Sequence, residues 1–278
     1  MNLYKFLHPD RIDVLRNKSI RFTQPNAFND PFEFSPSFIS FSKDSTFNEQ
    51  FDDTVDMQIE DSLRKLPKEY RTDIVKSYLK KFLTANKQLI HHSLNNFAPI
   101  FADSLQKQAN NSFGILSLTT EKDNLLMWSH YADSHNGFCI KFNTDSIFFN
   151  RRRSEFDELY HLRKITYKDI RPSGIFEEMS IDELFEVKSD IWEYENEWRM
   201  YLPLIDANNI LDNSNMPIYL FNFPSNAISE IIIGAKASQD FINQITSIIQ
   251  NNIEYNHVKL VHAKISNTHY KLDYVNVN

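Results

Sequence analysis

Four glycines in 278 residues, Gly114, Gly137, Gly174 and Gly234, constrain this chain more than any other feature. Average usage of ~7% would give about 19. The G-x-G-x-x-G and G-x-x-x-x-G-K phosphate loops both need closely spaced glycines, and no two here lie within fifteen residues. Classical dinucleotide and Walker phosphate loops are therefore excluded.

Other classes fall away on composition. A hydrophobic fraction of 41% and an aromatic fraction of 14% suffice for a real core and suit sheets and lined pockets. The length allows one large domain or two small ones. A net charge of −7 argues against a global electrostatic grip on nucleic acid, leaving room only for a local basic groove. One cysteine, Cys139, excludes disulfide frameworks and thiolate zinc clusters. The first residues lack an apolar signal region and no apolar run approaches the ~18 residues of a bilayer span. The expectation is a cytoplasmic protein without a membrane partner.

Along the chain, Leu3–Phe6 reads as a first strand. Asp10 is a candidate cap for a helix burying Ile12, Val14 and Leu15, and 19–23 alternates as a second strand stopped by Pro25. From 47 to 111 apolar residues recur at helical spacing: Phe51, Val55, Ile59 and Leu63, then Ile74, Tyr78 and Phe82, then Leu89 and Ile90. This predicts three or four amphipathic helices inserted into a sheet domain. Lys76, Lys80 and Lys81 read as a basic patch or as a solvated helix face.

Strands are expected again at 112–119, 138–142 and 164–167, and helices at 124–132 and 181–189. A β-α-β unit is expected over 230–233, 239–250 and 258–263. Segments 151–153 and 208–215 read as surface loops. Trp192–Tyr201, read as a strand, puts Trp192, Tyr194, Trp198 and Met200 on one face and Glu193, Glu195, Glu197 and Arg199 on the other.

Four places carry candidate chemistry. Same-face Glu195 and Glu197 would sit ~6–7 Å apart on a strand. Repulsion would then raise the proton affinity of one, which suits acid–base work or binding of ribose hydroxyls. The competing reading is a solvated face salt-bridged through Arg199. Ser117 and Thr119 share a strand face and can position a ligand, or be ordinary strand residues. His130 and His135 are five apart, not the i, i+4 geometry of a helical zinc pair. Asn29-Asp30-Pro31-Phe32 is a stiff loop in which Asn29 and Asp30 bind a polar ligand, or simply turn the chain, while Phe28 and Phe32 pin it.

Asn29-Asp30-Pro31-Phe32, Met127-Trp128-Ser129-His130-Tyr131-Ala132 and Glu195-Asn196-Glu197-Trp198-Arg199 together resemble a bacterial family known only as a domain of unknown function. More loosely, the order of features resembles the ADP-ribosyltransferase superfamily. There, a first strand with Arg or His precedes a Ser-x-Ser-like strand and a late Glu-x-Glu. Here the first strand offers Lys5, and Arg21 on the second is another candidate cation. The resemblance implies NAD as substrate, with Lys5 or Arg21 on the pyrophosphate and Ser117 and Thr119 supporting the ribose. It further implies Glu197 on the 2′-OH, Glu195 orienting the acceptor, and Trp128, Tyr131 or Phe28 stacking on nicotinamide.

The expected fold is α+β: a mixed, largely antiparallel sheet in a single domain spanning 1–278, a helical insertion at 43–111 and a C-terminal β-α-β extension at 224–278. The expected function is an NAD-dependent ADP-ribosyltransferase-like effector, toxic or phage-defensive, acting on a protein or nucleic acid. Two rivals stand beside it. A non-catalytic binding module predicts no deep cleft joining Glu197 to Ser117. A nuclease or phosphodiesterase predicts Glu195, Glu197 and His130 within ~5 Å of one metal ion.

Overall fold

The computed structural model describes residues 1–212 and 216–277, so part of the expected 208–215 loop lies outside the described residues. In chain order it contains β1 (Asn2–Leu7), α1 (Asp13–Asn17), β2 (Ser19–Phe22), β3 (Ser37–Ser40), α2 (Asp44–Lys65), α3 (Asp73–Ala85), α4 (Lys87–Asn96) and α5 (Ala98–Ser112). There follow β4 (Phe113–Thr119), α6 (Leu125–Tyr131), β5 (Phe138–Asn143), β6 (Leu162–Lys164), β7 (Thr166–Lys168), β8 (Ser173–Ile175), α7 (Ile181–Phe185) and β9 (Val187–Ser189). The chain continues through β10 (Glu197–Pro203), β11 (Asn209–Leu211), β12 (Ile218–Asn222), β13 (Ile228–Ile233), α8 (Gln239–Gln250), β14 (Lys259–Ile265) and β15 (Leu272–Asn276). The fold is α+β. Among the described residues no helix is long and apolar enough to cross a membrane.

Packing divides the chain into two units. The first comprises residues 1–33, 108–171 and 186–278, and the second 34–107 and 172–185.

The first unit is built on an eight-stranded, mostly antiparallel sheet of order β15-β14-β13-β5-β1-β4-β10-β6. Only β13 and β14, the β-α-β pair, run parallel. One face, carrying Leu116, Leu118, Phe138, Ile140, Met200 and Ile231, packs on Phe241, Ile245 and Ile249 of α8 and on Val14 and Leu15 of α1. The other face carries Tyr4, Phe6, Cys139 and Ile232 and packs on Met127, Trp128 and Ala132. Burial at period two along the strands and at i, i+4 along α8 produces this sandwich.

The ladder is uneven at one place. β1 pairs with β5 over six residues, but with β4 only at Tyr4↔Thr119. Beyond that bridge the two strands part and leave an opening in the sheet.

Two glycines hold the turn after α6 against the strand ends. A Cβ on Gly137 would lie 2.1 Å from Leu7 O, and one on Gly234 2.2 Å from His135 O. Just before Gly137, Asp133, Ser134 and His135 all have positive φ. Backbone bonds from Gly137 N to Ala132 O and from Lys236 N to His135 O fix this left-handed turn.

Several expectations need correcting. Asp10 does not cap the first helix. His8 Nδ1 accepts from Asp10 N over a 3-10 turn, and α1 begins later with no side-chain cap. The expected strand at 164–167 breaks at Ile165 into β6 and β7, which join different sheets, because Ile165 N–H turns to Glu197 O. The helix expected at 181–189 stops at Phe185, and 187–189 becomes β9, parallel to β7. Trp192–Tyr201 is not one strand. Asp190–Glu195 is 3-10 helix, Asn196 turns at φ 42°, and only from Glu197 does the chain extend. Asparagine tolerates that left-handed turn better than most side chains.

In the second unit α2 buries Phe51, Val55, Ile59 and Leu63, with Val75, Leu79 and Leu83 of α3 and Ile90 of α4 against them. A second cluster joins Phe38 of β3 to Ala98 and Ala102 of α5 and to Phe176. The expected inner face of α3 is wrong. Ile74, Tyr78 and Phe82 are 82%, 70% and 56% exposed. Lys76 and Lys80 reach Glu60 at 2.8 Å and Asp56 at 2.7 Å on α2, which rolls α3 so that Val75, Leu79 and Leu83 turn inward.

Candidate functional site

The opening between β1 and β4 leads into a cleft of about 380 Å³ within the first unit. Lys5, Ser117, Thr119, Tyr131, Glu195 and Glu197 all line it, with Phe28, Asn29, His130 and Lys188. Ligand sites of this kind run from ~300 Å³ upward.

Each side chain reaches the cleft for a local reason. The register sets Glu197 opposite Thr119 and Arg199 opposite Ser117, so period two aligns all four on one sheet face. Trp198 and Met200 go to the opposite core. Glu195 arrives from the 3-10 turn, where the Thr119 hydroxyl donates to its carbonyl. Lys5 stands where β1 and β4 part, and its Nζ donates to the Ser117 carbonyl at 2.9 Å. Tyr131 comes from the end of α6, whose start is capped by Asn124 Oδ1 accepting from Leu126 and Met127. Asn124 Nδ2 also donates to Tyr194 O at 2.9 Å, tying the helix to the turn that carries Glu195.

Behind the cleft wall lies a buried ionic hub. Lys188 Nζ is 3.0 Å from Glu33, 2.6 Å from Glu195 and 3.2 Å from Glu197. Arg199 bonds Glu197 through Nε at 2.8 Å and Nη2 at 2.9 Å, and its Nη2 also bonds Glu33. Tyr131 OH donates to Glu195 Oε1 at 2.5 Å. All five charged residues are at least nine-tenths buried. The Arg199 guanidinium lies 5.4 Å from the Phe28 ring, and Lys188 Nζ 4.9 Å from Trp192.

These contacts set the proton affinities. Burial by itself would raise the Glu197 pKa, but the charges of Arg199 and Lys188 outweigh it and hold the carboxyl down to about 2. The repulsion expected from Glu195 is thus overridden by two cations. Burial dominates at Glu33, whose pKa is raised despite Arg199 and Lys188. Burial lowers Lys5 to about 8, against the pull of Glu197 and Glu195. Burial and then Glu195 raise the Tyr131 hydroxyl, which stays a proton donor.

The Ser117 Oγ is buried and faces Glu197, where it helps hold that carboxylate charged, yet it has no partner at full hydrogen-bond geometry. The hub also leaves acceptor capacity. Each carboxylate oxygen takes about two hydrogen bonds, and among the described residues the one at full geometry on Glu197 Oε1 comes from Arg199 Nε.

Other expected site residues lie elsewhere. Trp128 is fully buried, packs edge-on to Phe6 and donates Nε1 to Lys122 O at 2.9 Å, so it is core. Arg21 sits on β2 opposite Leu220 and does not line the cleft. Asp30 is buried and its Oδ1 accepts from Phe32 N at 2.9 Å, turning the loop. Asn29 reaches the cleft and the Tyr131 hydroxyl. Phe32 is 63% exposed and does not pin its loop. His130 Nδ1 lies 3.1 Å from Tyr194 OH. Among the described residues no group of three or more His, Cys, Asp or Glu is placed to hold a metal ion, because Lys188 and Arg199 stand between the carboxylates.

The sequence reading missed Glu33 and Lys188, and took Arg199 only as a surface partner. Glu33 follows directly on the Asn29–Phe32 loop, and Arg199 closes the Glu195–Arg199 motif. Nothing local marks Lys188, which reaches the hub through the β7–β9 pairing.

No curated protein and no solved structure matches the chain. Residues 127–200, which include Tyr131, Lys188, Glu195, Glu197 and Arg199, match the family described as "Protein of unknown function (DUF2971)".

Proposed function

We propose that the cleft binds a nucleotide and that its substrate is NAD, from which ADP-ribose is transferred to an acceptor nucleophile. The observation that carries this reading is the meeting of Lys5, Ser117 and Glu197 in one cleft at the parting of β1 and β4. A cation, a buried hydroxyl without a full partner and a carboxylate ionised down to about pH 2 match a ligand that joins phosphate to ribose. Phe28 and Tyr131 offer ring faces for a flat leaving group. The cleft volume suits the nicotinamide mononucleotide half, the remainder lying across its open mouth.

In this reaction the C1′–N1 glycosidic bond breaks and nicotinamide leaves with the bonding electrons. The acceptor then bonds C1′ and releases its proton to solvent or a cleft base. Glu197 stabilises the sugar's developing positive charge while accepting the 2′-OH on Oε1. Lys5 meets phosphate, and Glu195, held by Lys188 and Tyr131, faces the acceptor.

The test is nicotinamide release and transfer of adenylate-labelled NAD by wild type and Glu197→Gln, with circular dichroism to verify folding. Wild type should turn over and Glu197→Gln should lose about 100-fold or more, the loss typical of one electrostatic stabiliser. Equal, negligible turnover in both proteins overturns the reading. A second reading, binding without chemistry, is favoured by the cations on both carboxylates, which drain their power to stabilise a cationic transition state. It expects NAD or a related nucleotide to bind and be released intact.

A further inference from the structure

The second unit carries an apolar surface that its own core does not use. Ile74, Tyr78 and Phe82 repeat at i, i+4, i+8 on α3, and so form one continuous stripe along the helix. They are 82%, 70% and 56% exposed, while the neighbouring Val75, Leu79 and Leu83 satisfy the core. On α4, Leu89 is likewise 63% exposed. Isolated exposed apolar residues need no explanation, but a rimmed, contiguous stripe marks an association surface.

We propose that the occupant is a second copy of this chain, paired antiparallel through α3 about a two-fold axis at Tyr78. Such an interface must be self-complementary, and the stripe is. Antiparallel pairing sets Tyr78 on the other copy's Tyr78 and each Ile74 against the other copy's Phe82. Charge complementarity supports the same register. Asp73 and Lys81 both flank the stripe on one side, and both are exposed. Two-fold pairing brings that edge of each helix against the same edge of its mate, with Lys81 level with Val75 of the other copy. Asp73 is then within reach of the Lys81 stem, twice per dimer. Lys76 and Lys80 are committed to α2 and leave the seam free. One helix pair buries on the order of 900 Å² in total, at the low end for specific interfaces, so the dimer is weak and concentration-dependent.

Sedimentation equilibrium of the full chain, from about 1 to 200 µM, reads this directly, the range bracketing the micromolar dissociation constants of a weak dimer. Wild type should rise from 32.9 kDa towards twice that mass. Tyr78→Glu, at a position 70% exposed, should remain monomeric across the range with an unchanged far-ultraviolet spectrum. Lys81→Asp should weaken association about 3- to 10-fold by setting like charges across the seam, and adding Asp73→Lys should restore it. A wild-type monomer at every concentration overturns the proposal. So does dimerisation that Tyr78→Glu leaves intact, or a double charge swap that fails to restore what Lys81→Asp lost.

Discussion

Replacing Lys188 by Met removes the one cation that touches all three hub carboxylates, at 3.0, 2.6 and 3.2 Å. Arg199 then remains on Glu33 and Glu197, while Glu195 loses the ammonium that stood 2.6 Å away. Met fills most of the stem's volume, so the loss is chiefly electrostatic. Breaking a buried ion pair by deleting one partner costs about 3–5 kcal/mol. At ~2–4 °C per kcal/mol for a chain near this size, Tm should fall by roughly 6–20 °C near pH 7. The pH dependence gives the sharper signature. Glu197 is held at about 2 against an ordinary 4.5, so in the wild type it contributes stability above pH 4.5 that is lost as pH falls from about 4.5 towards 2. That contribution is on the order of 3 kcal/mol. Without Lys188 the carboxyl pKa values climb, and one proton relieves the unbalanced charge. The Tm gap between variant and wild type should therefore narrow as pH drops from about 7 to 5. Thermal melts across that range decide it. A gap below about 2 °C at neutral pH, or one independent of pH, refutes the hub as an electrostatic unit.

Two further outcomes follow from the same geometry. Lys5 loses its charge as pH rises through about 8, so pyrophosphate binding by wild type should weaken above pH 8. Lys5→Met should bind weakly at every pH. Because the folded pKa lies below the ordinary 10.5, wild-type stability should also rise with pH between about 8 and 10.5, a slope that calorimetry should find absent in Lys5→Met. Gly137→Ala places a methyl 2.1 Å from Leu7 O, which forces backbone apart at the strand end. It should cost more than about 4 kcal/mol, beyond the ordinary range for a single substitution, and a soluble variant melting within about 5 °C of wild type would count against that.

The sequence was informative where one local signal governed one element. The C-terminal helix was legible to the residue, because α8 carries its apolar side chains at unbroken helical spacing behind a Ser238 cap. The four helices of 44–112 announced themselves by periodicity, but which face of α3 turned inward did not. Ile74, Tyr78 and Phe82 are as apolar as Val75, Leu79 and Leu83, and only the lysine pairs to α2 break the tie. The Glu195–Arg199 segment shows the same limit. Alternation suggested a strand, and one left-handed Asn196 was enough to convert its first half into a 3-10 turn. Both glutamates still reach one hub, because Lys188 folds back on them through the β7–β9 pairing and Glu33, far away in sequence, closes the set through Lys188 and Arg199. Such contacts leave no local pattern to read.

The solitary Tyr4↔Thr119 bridge divides the eight strands mechanically into a slab of five and a slab of three, joined there by one backbone bridge and by the Lys5 side chain on the Ser117 carbonyl. Sliding or prying these slabs apart breaks few ladder bonds, whereas deforming either one breaks many. A molecule lodged between them acts as a wedge and a splint at once. Its arrival should register as slowed amide exchange along the facing edges of β1 and β4, ahead of any change in the helices that cover the sheet.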